Sequence, residues 1–278
     1  MTQPTILTDR MALTRHRDRA RNLPGHDAAM FLHRLALSDL QERLGEINRR
    51  FTTPAVVTGF PEVFGDLSPA RVVPDDDLIA LESSAHDLVV HAMSLHWASD
   101  PIGQLVQCRR ALRPDGLCLV VLSGGRSLQE LRASLAEAEA RVTGGLSPRV
   151  LPMGEIRDLG ALMQRAGFAL PVADSLVQTV EYQSFPALLS DLRAAGETNA
   201  LEGRLRRFTR RSVLAEAARI YAGSYSTPEG RLTATVELVF LTGWAPHESQ
   251  QQPLRPGSAR SRLADALGVP EKPLPKEG

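Results

Sequence analysis

The side chains of this sequence best suited to chemistry lie in two short loops, each directly after an apolar run. Residues 94–97 (SLHW) follow a run that ends at Met93, and residues 123–125 (SGG) follow a second run. An imidazole can act as a base or bind a substrate by a hydrogen bond, and an indole can form a stacking wall. His96 and Trp97 are therefore the candidate catalytic residues, and the competing interpretation is a purely structural loop.

The segment that carries both loops has the pattern of a strand–helix–strand unit. The runs 88–93 and 117–122 are apolar and too short for helices, as expected of parallel strands buried on both faces. Between them, Asp100 can cap a helix and Pro101 suits its first position. Such a crossover belongs to an open α/β sheet, in which ligands bind beyond the carboxyl ends of the strands. Both loops would face that crevice.

The rest of the chain predicts a helical cover, the α/β domain and a tail. Residues 1–50 have helical spacing, residues 51–245 form the α/β domain with a helical insertion at 184–224, and residues 246–278 form an extended tail rich in proline and glutamine. Residues 232–240 alternate as a long strand. Ser127 and Glu130 have the spacing of a capping box, which predicts a helix that begins at this point.

Composition argues against several functions. Lysine plus arginine equals aspartate plus glutamate, 32 each, so no overall field attracts nucleic acid or a membrane. No apolar run is long enough to span a bilayer. Cys108 and Cys118 form no disulfide framework and fit a reducing compartment, so a cytoplasmic location is expected. His247 and Glu248 are adjacent and would point to opposite sides of an extended chain, so no metal site is expected.

The densest run of basic residues lies between residues 204 and 211. It contains Arg204, Arg206, Arg207, Arg210 and Arg211. Such a run could receive an acidic subunit or a phosphate group, whereas a solvated surface is the commoner explanation.

The strand–helix–strand unit also resembles a known family. Its residues HDLVVHAMSLHWASDPIGQLVQCRRALRPDGLCLVV resemble the fourth strand, the following helix and the fifth strand of class I S-adenosylmethionine-dependent methyltransferases, among them the malonyl-carrier-protein methyltransferase of biotin synthesis. The later segments GGLSPRV, DLRAAGETNAL and GWAPHESQ are similar to the branch that contains the respiratory complex I assembly factor 5 proteins.

This resemblance implies a fold, a cofactor and a partner. The fold is a Rossmann-like, mostly parallel sheet with an antiparallel final strand. The cofactor is S-adenosyl-L-methionine, and the matching positions that would contact it are Thr58, Gly59, Asp76, Ser94 and Leu95. The partner is a protein, a subunit of respiratory complex I, and arginine hydroxylation is one activity assigned to that branch.

The sequence departs from the family where the cofactor should be held. The family's glycine-rich loop lets bare backbone approach the cofactor, but Thr58-Gly59-Phe60-Pro61 stands here, with one glycine, a bulky ring and a proline that has no donor. The acidic segment 75–77 permits two interpretations. By spacing it follows the second strand; by alignment, which we favour, it follows the third strand, and the second strand and its helix are missing.

Two hypotheses of different classes follow. The first is a methyltransferase-like enzyme that modifies a respiratory complex I subunit or assists its assembly. The alternative is a non-catalytic binding or assembly factor whose crevice is filled by Phe60 and its neighbours. A cavity of about 300 Å³ or more beside Gly59 and Ser94 would favour the first hypothesis.

Overall fold

The computed structural model describes residues 6–65, 67, 70–251 and 268, and its centre is one six-stranded sheet. Two compact units are distinguished, Met1–Pro246 and His247–Gly278, and the sheet belongs to the first. Its strands are β1 (Pro54–Thr58), β2 (Arg71–Val73), β3 (His86–Ala92), β4 (Leu112–Ser123), β5 (Ala169–Tyr182) and β6 (Leu232–Trp244).

Helices cover both faces of the sheet. They are α1 (Arg10–Arg21), α2 (His26–Ala29), α3 (Phe31–Glu46), α4 (Pro61–Phe64), α5 (Pro101–Ala111), α6 (Gln129–Thr143), α7 (Ile156–Arg165), α8 (Phe185–Ala194) and α9 (Arg211–Ser224), with a 3-10 turn at Leu95–Trp97. Among the described residues, no helix combines the length and the apolar character needed to cross a bilayer. The domain boundaries stay predictions.

The strand order confirms the predicted fold class. The order is β2-β1-β3-β4-β6-β5, in which β1 to β4 run parallel and β6 is antiparallel to both β4 and β5. The strand–helix–strand unit is β3–α5–β4, and Asp100 caps α5 by accepting a hydrogen bond of 2.8 Å from Gly103 N. Every residue of β3 is buried, as the apolar run predicts.

The sheet is abbreviated at the edge beside β1. The described residues between 59 and 85 provide one short strand, β2, where a doubly wound half supplies two strands. Its three residues pair in parallel with β1 from Ala55 to Val57. Both interpretations of the acidic segment 75–77 predict a single strand here, and both place residues 75–77 directly after it.

The predicted capping box is wrong, because its side chains bond to a strand instead. Leu128 precedes α6 in a left-handed conformation, with φ of 54°, and no side chain caps the helix. Ser127 Oγ donates to Glu237 O at 3.1 Å and accepts from Glu237 N at 3.0 Å. The Glu130 carboxylate accepts from Thr235 N at 3.2 Å. These bonds hold the start of α6 against β6.

Candidate functional site

Three of the five residues predicted to hold a cofactor, Thr58, Gly59 and Ser94, lie at the carboxyl ends of β1 and β3. Gly59 N donates a 2.9 Å hydrogen bond to Ser94 Oγ, and Ser94 Oγ in turn donates to Ala92 O at 3.1 Å. Thr58 Oγ1 accepts a 3.1 Å bond from Phe60 N. These polar groups are therefore engaged in bonds that shape the loops.

The other two predicted residues differ in exposure. Leu95 is buried in the core, whereas Asp76 is exposed and its carboxylate lies 3.7 Å from Arg10 Nη2. Of the three consecutive acids, it is Asp75 that turns inward, with 4% exposure. The spacing of the three acids in the sequence did not show which of them is buried.

Arg17 of α1 reaches across to Asp75 and forms a buried ion pair. Its Nη1 lies 2.9 Å from Asp75 Oδ1, and its guanidinium carbon lies 4.7 Å from the centre of the Phe60 ring. Arg10 Nη1 adds a contact of 3.3 Å to Asp75 Oδ2. Burial alone would raise the pKa of Asp75, but the two guanidinium groups outweigh it and hold that pKa below its ordinary value.

The Arg17 guanidinium lies directly against Gly59, where the resemblance predicts that the cofactor would be held. A Cβ atom placed on Gly59 would collide with this guanidinium, whose Nε would be 2.9 Å away. A ligand that approached the backbone at this glycine, as the resemblance predicts for S-adenosylmethionine, would therefore meet the Arg17 side chain. Phe60 is also buried, at 1% exposure. The assignment of the five residues to a cofactor stays a prediction.

The candidate catalytic residues lie on the 3-10 turn, beside a carboxylate that the sequence did not reveal. Trp97 Nε1 donates a 2.8 Å hydrogen bond to Glu197 Oε2, and His96 Nε2 lies 3.7 Å from the same oxygen. Burial would raise the pKa of Glu197, but the adjacent imidazole of His96 and the charge of Arg17 lower it to about 2. Glu197 is therefore ionised, and with His96 it forms an acid–base pair.

Several buried polar atoms around this pair have no hydrogen-bond partner among the described residues. They are Arg17 Nε and Nη2, both ring nitrogens of His33, His96 Nε2 and Glu197 Oε1. Buried polar groups are nearly always bonded, so such a cluster marks a place for water or a polar ligand group. The ring of His33 lies 4.1 Å from that of Phe60, and burial lowers the pKa of His33 to about 4.

A cavity of about 440 Å³ opens next to this cluster. His33, Trp97, Ser123 and Glu197 line one end of it, and neither Gly59 nor Ser94 is among its lining residues. A second cavity of about 520 Å³ is more open and is lined by α1 and the start of α5, again without Gly59 or Ser94. No group of three or more metal-binding side chains is found among the described residues.

The Trp97 bond predicts a measurable loss of stability. We expect Trp97→Phe, which keeps an aromatic ring but removes the donor to an ionised carboxylate, to lower the free energy of unfolding by about 2 kcal/mol. Urea denaturation measures this free energy of unfolding. Trp244→Phe is the matched control, because the Trp244 indole donates no hydrogen bond to any described residue. Equal losses in the two variants would contradict the assigned bond.

The sheet order, the antiparallel β6 and the crevice at the ends of β1 and β3 define a class I methyltransferase fold. No family model matches the chain. It is 35% identical to the mitochondrial arginine-hydroxylase NDUFAF5 of Danio rerio over 200 residues, which cover 72% of this chain and 62% of that protein. The malonyl-[acyl-carrier protein] O-methyltransferase of Laribacter hongkongensis is 31% identical over 190 residues, 68% of this chain and 61% of that protein.

The chain therefore has the class I methyltransferase fold and is similar in sequence to these relatives. It spans about three-fifths of the length of both. Among solved structures, phosphoethanolamine N-methyltransferase 2 of Haemonchus contortus is 12% identical, with a TM-score of 0.39 over 78% of this chain and 53% of that one.

Proposed function

We propose that this protein is a methyltransferase-like assembly factor that acts by binding a protein partner, a subunit of respiratory complex I. The observation that carries the proposal is the Arg17–Asp75 ion pair, which fills the cofactor position beside Gly59. The relation to the NDUFAF5 proteins supports the choice of partner. A cytoplasmic location, based on cysteine usage, is part of the proposal.

The energy of the ion pair makes it unfavourable for a cofactor to displace the Arg17 side chain. Breaking a buried pair by removing one member costs about 3–5 kcal/mol. A ligand that had to displace Arg17 would lose at least about a hundredfold in affinity. The fold is then retained for its shape and its surfaces, while the methyl-transfer position is closed.

Titration calorimetry tests whether the crevice beside Gly59 is closed to the cofactor. We expect no heat of binding from S-adenosylmethionine or S-adenosylhomocysteine at about 1 mM, a concentration at which even weak complexes form. The Laribacter hongkongensis relative, titrated in parallel, serves as the positive control. Micromolar binding to the folded wild-type chain would refute the closed crevice.

The partner is tested by capture from the native cell, followed by mass spectrometry of the captured protein. A respiratory complex I subunit without an added methyl group or oxygen is the expected result. Capture of unrelated proteins alone would contradict the proposed partner, whatever the outcome of the cofactor titration.

A second candidate function is enzymatic modification of the same partner. The observation that favours it is the buried His96–Glu197 pair, with its unpartnered polar atoms at the end of the cavity. His96→Phe separates the two functions. An enzyme would capture the partner but leave it unmodified in this variant, whereas a binding factor would leave the partner's mass unchanged in both the wild type and the variant.

A further inference from the structure

The 440 Å³ cavity has apolar walls, and no side chain of the described residues fills its interior. Helices α3, α6, α8 and α9 supply these walls together with the segment before α7, and the volume of the cavity is about three times that of an engineered apolar cavity that binds benzene. The apolar lining residues include Leu32, Leu131, Leu135, Met153, Leu192 and Leu214.

Away from His33 and Glu197, several polar groups of the wall are already bonded within the protein. Arg149 pairs with Glu139 at 2.8 Å and donates to Thr209 Oγ1 at 2.9 Å. Tyr182 Oη donates to Asp191 Oδ2 at 2.7 Å, and Asn199 Nδ2 donates to Pro148 O at 2.9 Å. A peptide backbone in this cavity would find few partners for its amides and carbonyls, and burying them unpaired is costly. An alkyl chain needs no hydrogen bonds.

Positive charge surrounds one part of the lining. Phe208 and Thr209 line the cavity, and Phe208 is fully exposed to solvent. The flanking Arg207, Arg210 and Arg211 are exposed and form no ion pair with any described residue, and neither does Arg193, which itself lines the cavity. By contrast, Arg204 of the same basic run is held 2.8 Å from Asp9.

The lining therefore combines opposite charges. Glu197 carries an ionised carboxylate, which repels an anionic group, whereas Arg193 and the unpaired arginines that flank Phe208 and Thr209 attract one. Arginine is suited to phosphate oxygens because its guanidinium donates two parallel hydrogen bonds.

We propose that the cavity binds a single alkyl or acyl chain whose phosphate head group is held by Arg193, Arg207, Arg210 and Arg211. A lysophospholipid has this chemistry, with one acyl chain and a phosphate head group. The chain occupies the leucine-lined interior, and the phosphate stays at the solvent-exposed mouth beside Phe208.

Dodecyl phosphate is the probe, titrated into the full-length protein below its micelle concentration and followed by calorimetry. We expect saturable binding of dodecyl phosphate, weaker binding of dodecyl maltoside, which has an uncharged head, and none of butyl phosphate, which lacks the chain. Lysophosphatidylglycerol, titrated in the same way, then tests the lysophospholipid directly, and its failure to bind would contradict that choice of ligand.

Two sets of variants test the head group and the chain separately. The triple change Arg207→Ser, Arg210→Ser and Arg211→Ser should weaken the binding of dodecyl phosphate by about tenfold or more and leave the binding of dodecyl maltoside unaffected. Its control is Arg157→Ser with Arg165→Ser on α7. Leu192→Trp should abolish binding of both ligands by filling the cavity, and its control is the exposed Leu78→Trp.

The proposal is overturned by either of two results. One is the absence of dodecyl phosphate binding to the folded wild type, including the case in which only a partner peptide binds in the cavity. The other is binding that neither the arginine triple variant nor Leu192→Trp reduces. Because the arginines are exposed, the triple variant keeps the test decisive even if Leu192→Trp does not fold.

Discussion

Arg17→Met is expected to lower the free energy of unfolding by about 3–5 kcal/mol, because it leaves the Asp75 carboxylate buried without its main partner. The variant keeps the length of the side chain and removes its charge. It also removes the contact of the guanidinium with the Phe60 ring. Chemical denaturation with urea, read by circular dichroism, measures the change.

Two companion variants show whether the loss comes from the ion pair. Arg10→Met should cost much less, because Arg10 is the outer, more exposed partner of Asp75. The double variant Arg17→Met with Asp75→Leu should recover most of the loss, since replacing both members of a buried pair by apolar groups is often neutral. A loss below about 1 kcal/mol in Arg17→Met would show that the pair contributes little.

The second large effect is a loss of stability as the pH falls from about 6.5 towards 4. Burial lowers the pKa of His33 to about 4, so between these values the unfolded chain binds a proton that the folded protein does not. The contribution of His33 to the free energy of unfolding is therefore fully present above pH 6.5 and is lost as the pH decreases. A shift of this size corresponds to about 3 kcal/mol at most.

His33→Phe isolates this contribution. Neither ring nitrogen of His33 has a hydrogen-bond partner among the described residues, so a phenyl ring removes a titratable group without breaking a described bond. The free energy of unfolding of the variant should vary less between pH 6.5 and 4 than that of the wild type. His16, whose pKa is also lowered by burial, should account for part of the remaining slope. Identical pH profiles would contradict the neutral, buried state of His33.

The fold could be predicted from the sequence because its main unit is encoded locally. The apolar runs of β3 and β4, the Asp100 cap and Pro101 are all within forty residues, and each acts through neighbours in the chain. The short link between β1 and β3 likewise predicted an abbreviated sheet.

The decisive contacts of the site could not be predicted, because they join residues that are far apart in the chain. Arg17 is one of many arginines in the N-terminal helices, and nothing near it indicates that Asp75 is its partner. Glu197 meets Trp97 across 100 positions. The capping box failed for the same reason, since Ser127 found partners on β6 that local spacing does not reveal.

The edges of the sheet have a consequence for solubility. Among the described residues β5 pairs with β6 alone, so the backbone groups along its other side can receive a strand from another molecule. Leu170, Pro171 and an irregular register disrupt the start of that strand, and the ion pairs of Asp174 with Arg43 and of Glu181 with Arg231 place charged groups along the remainder. Replacing both pairs by uncharged residues would therefore favour edge-to-edge aggregation at the β5 side, whereas β2, only three residues long, offers little template for it.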